Sequence, residues 1–162
     1  MSTNLRSGNA PDESVDGTGR RIALVCARFN DLIVERLERG ARRALVAHGV
    51  ADEAITTFWV PGALEIPQVA KVAAAAGRFD AVVALGTVVR GDTYHFEVVS
   101  DASAAGLMQL SLESPVVITN AILTVEDEAQ AVARAGDGDG NKGAQAAIAA
   151  LETLAVVDAM AS

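Results

Sequence analysis

The chain has 162 residues, of which 51% are hydrophobic and only 4% aromatic, and this length predicts a single domain with a core of small aliphatic side chains. Its formal net charge of -8 argues against a nucleic-acid partner, because neutralising phosphates requires clustered Lys and Arg. The single cysteine, Cys26, excludes an intrachain disulfide, and two histidines without H-x-x-x-H or paired-Cys spacing argue against a metal site.

Residues 1–20 contain almost nothing that could be buried, so we expect a disordered N-terminal tail and a single folded domain over residues 21–162. No apolar stretch approaches the roughly 20 residues of a membrane span. The N-terminus also lacks the basic-then-apolar pattern of a signal peptide. The sequence therefore predicts a cytoplasmic protein with no membrane partner.

From Arg21 onward, short runs rich in β-branched residues alternate with longer stretches of helical periodicity, which is typical of βαβ units and a parallel sheet. The predicted strands cover about 22–26, 55–60, 81–85 continuing towards 89, and 116–119. The predicted helices cover about 31–48, 66–76, 95–112, 126–135 and 142–158. Gly49 is expected to end the first helix, Pro67 to lie in a first turn, and Asn141 to cap the last helix.

Polar segments follow each predicted strand, and the carboxyl ends of parallel strands are where sites form in open α/β sheets. Arg28 to Asn30 follow the first strand, Gly62 to Glu65 the second, Arg90 to Phe96 the third, and Asn120 the fourth. We therefore expect these four loops to line one rim of the sheet.

The segment after the third strand carries the strongest chemical signal. Gly91 allows close approach of the backbone to a ligand, and Asp92 and Thr93 precede a predicted helix N-terminus that favours an anion such as phosphate. His95 follows, and imidazole suits proton transfer near neutral pH. The alternative that His95 only caps the helix stays open from these residues alone. His48 is explained by a favourable interaction with its helix dipole.

Several familiar site motifs are missing from the sequence. It contains no G-x-G-x-x-G, no G-x-x-x-x-G-K-[ST] and no G-x-S-x-G, which removes the dinucleotide, P-loop and α/β-hydrolase interpretations. The interpretation that remains is acid–base chemistry on a phosphorylated small molecule.

Four separated motifs, in order, carry a resemblance to a known family over about residues 21–155. They are Ala27-Arg-Phe-Asn30, Val60-Pro-Gly-Ala-Leu-Glu-Ile-Pro67, Gly86-Thr-Val-Val-Arg-Gly-Asp-Thr-Tyr-His-Phe96, and Ile122-Leu-Thr-Val-Glu126 running on through Arg134-Ala-Gly136 to Asn141-Lys-Gly143. The chain resembles the lumazine synthases.

The resemblance implies a flavodoxin-like three-layer αβα sandwich with a four-stranded parallel sheet, and an N-terminal segment able to pair with a neighbouring subunit's sheet. It implies condensation of 5-amino-6-(D-ribitylamino)uracil with 3,4-dihydroxy-2-butanone 4-phosphate to 6,7-dimethyl-8-ribityllumazine in riboflavin biosynthesis. The substrates would join through an imine, phosphate would be eliminated and the ring would close. No cofactor and no metal would take part.

The resemblance also implies residue roles. Phe29 would stack on the pyrimidine, and His95 would move protons. The ribityl chain would be bound by the backbone of Ala63 and Leu64 and the carboxylate of Glu65. The pyrimidine pocket would be lined by the backbone of Thr87, Val88 and Val89, and by Asn120 from an adjacent subunit. Phosphate would be held by Gly91, Asp92, Thr93, Arg134 and Lys142.

This sequence departs from the family pattern at Glu97-Val98, where Asp-Tyr is frequent, and at Val125-Glu126-Asp127, where Thr-Glu-Asn is frequent. Family members form pentamers, some assembled into icosahedral shells. The spacing of eight residues from Arg134 to Lys142 matches the compact loop associated with shells, so we expect a homopentamer with shared active sites and favour a shell. The alternatives are a riboflavin synthase on the same fold and a non-catalytic flavin- or lumazine-binding shell protein.

Overall fold

Four parallel strands form one sheet in the order β2-β1-β3-β4 in a computed structural model, which describes residues 14–161. The strands are β1 (Ile22–Ala27), β2 (Ile55–Val60), β3 (Ala81–Val89) and β4 (Val117–Val125). The two central strands, β1 and β3, are almost entirely buried, as expected for strands covered on both faces.

Helices cover both faces of this sheet. They are α1 (Asp31–Ala47), α2 (Ile66–Ala75), α3 (His95–Glu113), α4 (Glu128–Ala133) and α5 (Lys142–Ala161), with single 3₁₀ turns at Asp52–Ala54 and Ala63–Glu65. The predicted α/β, flavodoxin-like sandwich with a four-stranded parallel sheet is confirmed.

The core divides into two clusters because successive strand residues point to opposite faces. Ile22 and Leu24 of β1 pack on one face with residues of α1, α4 and α5, whereas Ala23 and Val25 pack on the other face with residues of α2 and α3. Cys26 is fully buried in the first cluster, and burial raises the pKa of its thiol. Because Cys26 falls within the apolar run of β1, the sequence predicts a buried side chain, and this prediction is confirmed.

The predicted helix ends agree with the structure at three positions. Gly49 follows α1 with φ 98°, a left-handed conformation that glycine adopts without strain. Pro67 lies in the first turn of α2. Asn141 caps α5, since its Oδ1 accepts the N–H of Ala144 at 3.0 Å.

The fourth strand was predicted too short. β4 continues to Val125, so Asn120 lies in the middle of the strand and not in a loop after it. Because β4 is an edge strand, a polar residue facing solvent is compatible with it. The following helix was predicted to begin near Glu126, but it begins at Glu128 because Asp127 caps it, accepting the N–H of Gln130 at 2.9 Å.

The folded part of the chain begins earlier than the predicted boundary at Arg21. The N–H of Gly17 donates to the carbonyl of His48 at 2.7 Å, Val15 packs against the first core cluster, and Arg20 forms an ion pair with Asp158. Residues 14–20 are therefore anchored by both hydrogen bonds and apolar contact. The predicted disorder of residues 1–13 lies outside the described residues.

The sequence prediction that no stretch approaches the length of a membrane span needs correction at α5. This helix has 20 residues, and an 18-residue window within it has a mean hydropathy of 1.4, which meets the length and composition of a span. Core helices of soluble proteins meet the same criteria, and α5 packs one face against the sheet and α1. Close packing is visible at Gly143, where an added Cβ would lie 2.1 Å from the carbonyl oxygen of Leu37.

Candidate functional site

A cavity of about 500 Å³ opens at the carboxyl ends of β1, β2 and β3. Ten of the fourteen predicted site residues line it: Phe29, Ala63, Leu64, Glu65, Thr87, Val88, Val89, Gly91, Thr93 and His95. Asn30, Pro61, Gly62, Phe96 and Val99 complete the lining. The cavity lies where ligands bind in open parallel sheets.

The loop after β1 holds an aromatic ring at the cavity. Phe29 is 74% exposed, so it is not an ordinary core residue, and its backbone N–H donates to the carbonyl of Pro61 at 3.1 Å. The next residue, Asn30, has φ 63°, a left-handed conformation that asparagine tolerates better than most residues. Its Nδ2 donates to the carbonyl of Thr87 at 2.9 Å. The loop is thereby tied to both β2 and β3.

The end of β3 has one open backbone edge. Pairing of β3 with β1 ends at Leu85, whereas pairing with β4 continues to Val89. The carbonyl of Thr87 points to the β1 side, where it meets Asn30, and Val89, two residues on, turns its backbone groups to the same side because strand orientation alternates. An open N–H and C=O at this edge can pair with a heterocycle that carries both a donor and an acceptor.

Thr87 contributes a side-chain group that the sequence interpretation missed. Its Oγ1 is buried and has no hydrogen-bond partner within residues 14–161, although the residue lines the cavity. A buried hydroxyl of this kind can serve a bound molecule. No sequence pattern indicates this hydroxyl, since its burial depends on the tertiary structure around the strand.

The loop after β2 forms a 3₁₀ turn over Ala63–Glu65 at the cavity wall. The N–H of Glu65 donates to the carbonyl of Gly62 at 3.1 Å. A Cβ at Gly62 would lie 3.3 Å from Oε1 of Glu65, so glycine leaves room for this carboxylate. Ala63 is buried, while Leu64 and Glu65 are exposed. The turn presents a carboxylate and backbone groups to the cavity.

His95 is the first residue of α3, and Tyr94 occupies the cap position before it. The side chain of His95 is exposed and borders the cavity. Its backbone N–H meets Oγ1 of Thr93 at 3.4 Å, a long contact. The structure therefore places an imidazole beside the positive end of a 19-residue helix, where an anion and a proton donor can meet.

Arg90 joins three structural elements beside this loop. Its Nε lies 3.0 Å from both carboxylate oxygens of Glu126, its Nη1 donates to Oε2 of Glu97 at 2.5 Å, and its Cζ lies 4.3 Å from the ring centroid of Phe96. We call Arg90, Phe96, Glu97 and Glu126 the Arg90 clamp. Hydrogen bonds to Glu97, the larger cause, and to Glu126 raise the pKa of Arg90. The hydrogen bond between Arg90 and Glu97 also lowers the pKa of Glu97.

Beyond membership of a motif, no role for Arg90 follows from the sequence. The signal available was an arginine directly after a strand, with acidic residues at positions 97 and 126. Only the structure brings these three charges together, because Glu126 approaches through the pairing of β3 with β4.

Four predicted site residues do not line the cavity: Asp92, Asn120, Arg134 and Lys142. The assignment of Asn120 to the rim was wrong for this chain because β4 is longer than predicted. Its Oδ1 accepts the N–H of Ile122 at 2.7 Å, so the side chain satisfies a backbone amide of an edge strand.

Arg134 and Lys142 lie together, but on the other face of the sheet from α3. Ala131 and Ala135, on either side of Arg134, pack in the cluster that contains α1 and α5. The N–H of Lys142 donates to the carbonyl of Arg134 at 2.9 Å. The side chain of Arg134 donates to the carbonyl of Gln130 at 2.9 Å. Within one chain, these two cations therefore lie apart from the cavity that His95 borders.

No group of three or more His, Cys, Asp or Glu residues in the described part of the chain is placed to hold a metal ion. The absence of a metal and of a cofactor stays a prediction.

The fold and the cavity define a flavodoxin-like α/β domain with its site at the carboxyl ends of parallel strands. Comparison with known proteins identifies the family to which the chain belongs within this class. Residues 19–158 match the family model described as 6,7-dimethyl-8-ribityllumazine synthase, and the chain belongs to that family. The resemblance inferred from the four motifs is confirmed.

Relatives with that name align over most of their length. The protein of Gemmatimonas aurantiaca is 49% identical over 88% of this chain and 87% of its own. That of Anaeromyxobacter sp. (strain K) is 47% identical over 94% of both chains. That of Leuconostoc mesenteroides subsp. mesenteroides is 43% identical over 91% of this chain and 95% of its own.

Proposed function

We propose that the chain catalyses the condensation of 5-amino-6-(D-ribitylamino)uracil with 3,4-dihydroxy-2-butanone 4-phosphate, the lumazine-forming step of riboflavin biosynthesis. The amine and the ketone form an imine with loss of water, the phosphate ester is eliminated as inorganic phosphate, and ring closure releases a second water. The product is 6,7-dimethyl-8-ribityllumazine. Family membership supports this reaction.

The observation that carries the proposal is the placement of three complementary features around one cavity. The exposed ring of Phe29 offers a face for a flat heterocycle. The open edge of β3 at Val89 offers a donor and an acceptor to the edge of the same ring. The imidazole of His95 borders the same space, where it exchanges protons during imine formation and phosphate loss.

The ribityl chain binds along the turn at Ala63–Glu65. Its hydroxyl groups require hydrogen-bond acceptors, and the exposed carboxylate of Glu65 supplies two acceptor oxygens at the cavity wall. Ala63 and Leu64 present backbone groups beside it. This arrangement orients the pyrimidine before the second substrate arrives.

The phosphate binds at the N-terminus of α3, held by Gly91, Asp92 and Thr93, where the helix dipole favours an anion. Because Arg134 and Lys142 of the same chain lie on the opposite face of the sheet, we assign the second half of the phosphate site to Arg134 of the partner subunit. A guanidinium can bind two phosphate oxygens at once. Lys142 of the partner subunit lies in the same region, and Asn120 of the partner subunit approaches the pyrimidine.

The assembly that follows is a homopentamer with active sites at subunit boundaries, with an icosahedral shell favoured by the short loop between α4 and α5. Exposed apolar side chains on α3, including Met108 and Leu112, are compatible with burial between subunits. We propose a cytoplasmic location and a reaction that needs neither metal nor cofactor.

The reaction is tested by absorbance of the lumazine product with the purified protein. Product should form only when the pyrimidine and the sugar phosphate are both supplied, with one phosphate released for each lumazine. Riboflavin formed from lumazine alone would identify a riboflavin synthase. Lumazine binding without turnover would identify a non-catalytic carrier or shell protein, and either result would refute the proposal.

A further inference from the structure

The loop of residues 91–94 borders the cavity and leads from the end of β3 into α3. Two hydrogen bonds where the loop enters α3 are long: the N–H of His95 lies 3.4 Å from Oγ1 of Thr93, and the first hydrogen bond of the helix, from the N–H of Val98 to the carbonyl of Tyr94, is 3.3 Å. Arg90 precedes this loop, and the side chains of Phe96 and Glu97 follow it. The Arg90 clamp therefore closes the loop by joining its two ends.

The clamp also fixes the loop to the rest of the sheet. The N–H of Arg90 donates to the carbonyl of Val125 at 2.9 Å, and its guanidinium meets Glu126, the residue directly after β4. Glu97 lies in the first turn of α3, two residues beyond His95. The clamp thus ties the first turn of α3, which carries the imidazole, to the ends of β3 and β4.

The charge of Arg90 is already compensated. The guanidinium donates to two carboxylates, Glu97 and Glu126, and stacks on Phe96, and Arg90 does not line the cavity. A cation engaged in this way is a poor ligand for an incoming phosphate. Its effect on a phosphorylated substrate must come through the loop.

We propose that Arg90 is a positioning residue that sets the geometry of the loop at Gly91–Thr93 and of His95, and so governs use of the phosphorylated substrate without touching it. This inference rests on the proposed function. Arginine suits the role because its planar fork reaches both carboxylates while stacking on a ring, which the single ammonium of lysine cannot do.

The test compares Arg90→Lys, Glu97→Gln and Glu97→Asp with the parent protein. Arg78→Lys is the matched control, because Arg78 also stacks on a phenylalanine, Phe79, at 5.2 Å, but lies before β3 at the amino end of the strand. For each protein we would measure kcat, the KM of both substrates and the melting temperature.

Arg90→Lys and Glu97→Gln should lower kcat/KM for the sugar phosphate by about tenfold to a hundredfold, the effect expected when a catalytic group is displaced by about an ångström. The KM of the pyrimidine should change less than about twofold, and the melting temperature should stay near that of the parent. Glu97→Asp, which keeps the carboxylate, should recover most of the loss, and Arg78→Lys should match the parent.

Equal rises in the KM of both substrates, failure of Glu97→Asp to exceed Glu97→Gln, or parent-like kinetics in Arg90→Lys would overturn the inference. With an active parent protein, these results leave the proposed reaction intact. A parent protein that forms no lumazine would instead refute the proposed function, and the role of Arg90 would fall with it.

Discussion

The cavity and the loop between α4 and α5 use their side chains in opposite ways. At the cavity, Phe29 and His95 are exposed. In the loop, Asn141 is 1% exposed, and its amide makes hydrogen bonds to the backbone of Arg36, Gly136 and Ala144. The difference separates side chains available to a ligand from side chains already committed to the fold.

The same comparison explains why the proposed site is divided between two subunits. Arg134 begins the α4–α5 loop and Lys142, the first residue of α5, follows it, yet the loop is fixed on the face of the sheet that packs against α1 and α5. Gly40 in α1 leaves the space that Asn141 fills, since a Cβ there would lie 2.3 Å from Oδ1 of Asn141. A loop anchored this firmly cannot swing its cations across the sheet to His95 of its own chain.

The largest effect should follow removal of the imidazole. His95→Ala should lower kcat by about 10²- to 10⁴-fold, because general acid–base catalysis is lost, while the melting temperature changes little because the side chain is exposed. His48→Ala is the control, since His48 contacts the carbonyl of Val15 and not the cavity. Steady-state rates and thermal melting check both variants. Full activity in His95→Ala would show that the reaction at the cavity does not depend on the imidazole, and would contradict the distinction between the two regions.

In the loop between α4 and α5, the main effect of replacing Asn141 should be on stability. Asn141→Ala should lower the free energy of unfolding by about 2–3 kcal/mol, because a helix cap is lost and buried backbone groups lose their partner. Urea denaturation measures this change. Asn141→Asp keeps the cap but turns a carboxylate towards the carbonyls of Arg36 and Gly136, so it should be destabilising as well. Parent-like stability in Asn141→Asp would show that the cap is the whole contribution.

At the cavity, loss of the aromatic ring should weaken binding of one substrate. Phe29→Ala should raise the KM of the pyrimidine by up to about tenfold, since aromatic stacking contributes about 0.5–1.5 kcal/mol, and should leave the KM of the sugar phosphate unchanged. Leu32→Ala provides the control, because Leu32 is equally exposed at 73% but does not line the cavity. Equal effects of the two variants would contradict a stacking role.

The smallest effect should be a dependence of stability on pH through Glu97. Its pKa lies below the ordinary value of 4.5 because Arg90 binds the carboxylate, so its contribution is present above 4.5 and is lost as pH falls through the lowered pKa. The melting temperature of the parent should exceed that of Glu97→Gln slightly at neutral pH, and the difference should shrink in acid. A difference in melting temperature that grows in acid would contradict the lowered pKa of Glu97. Solvent screening keeps the effect small.

The sequence allowed most of the cavity to be predicted, because strand-end residues such as Phe29 and Glu65 follow from hydrophobic patterns and motifs that are local in the chain. Asn120 was misplaced because a polar residue on an edge strand looks like the end of the strand. The separation of Arg134 from His95 depends on which face of the sheet each helix covers, which local patterns do not determine. The anchoring of residues 14–20 also depends on distant partners, His48 and Asp158.

The central claim is that His95 of one chain and Arg134 of the partner subunit form one site, and subunit complementation tests it most directly. His95→Ala and Arg134→Ala, each nearly inactive alone, would be co-expressed in equal amounts and purified as mixed assemblies. Random assembly should restore about a quarter of the parent activity, because about one subunit boundary in four then receives an intact half from each side. Activity no higher than that of the separate variants would show that both residues must belong to the same chain.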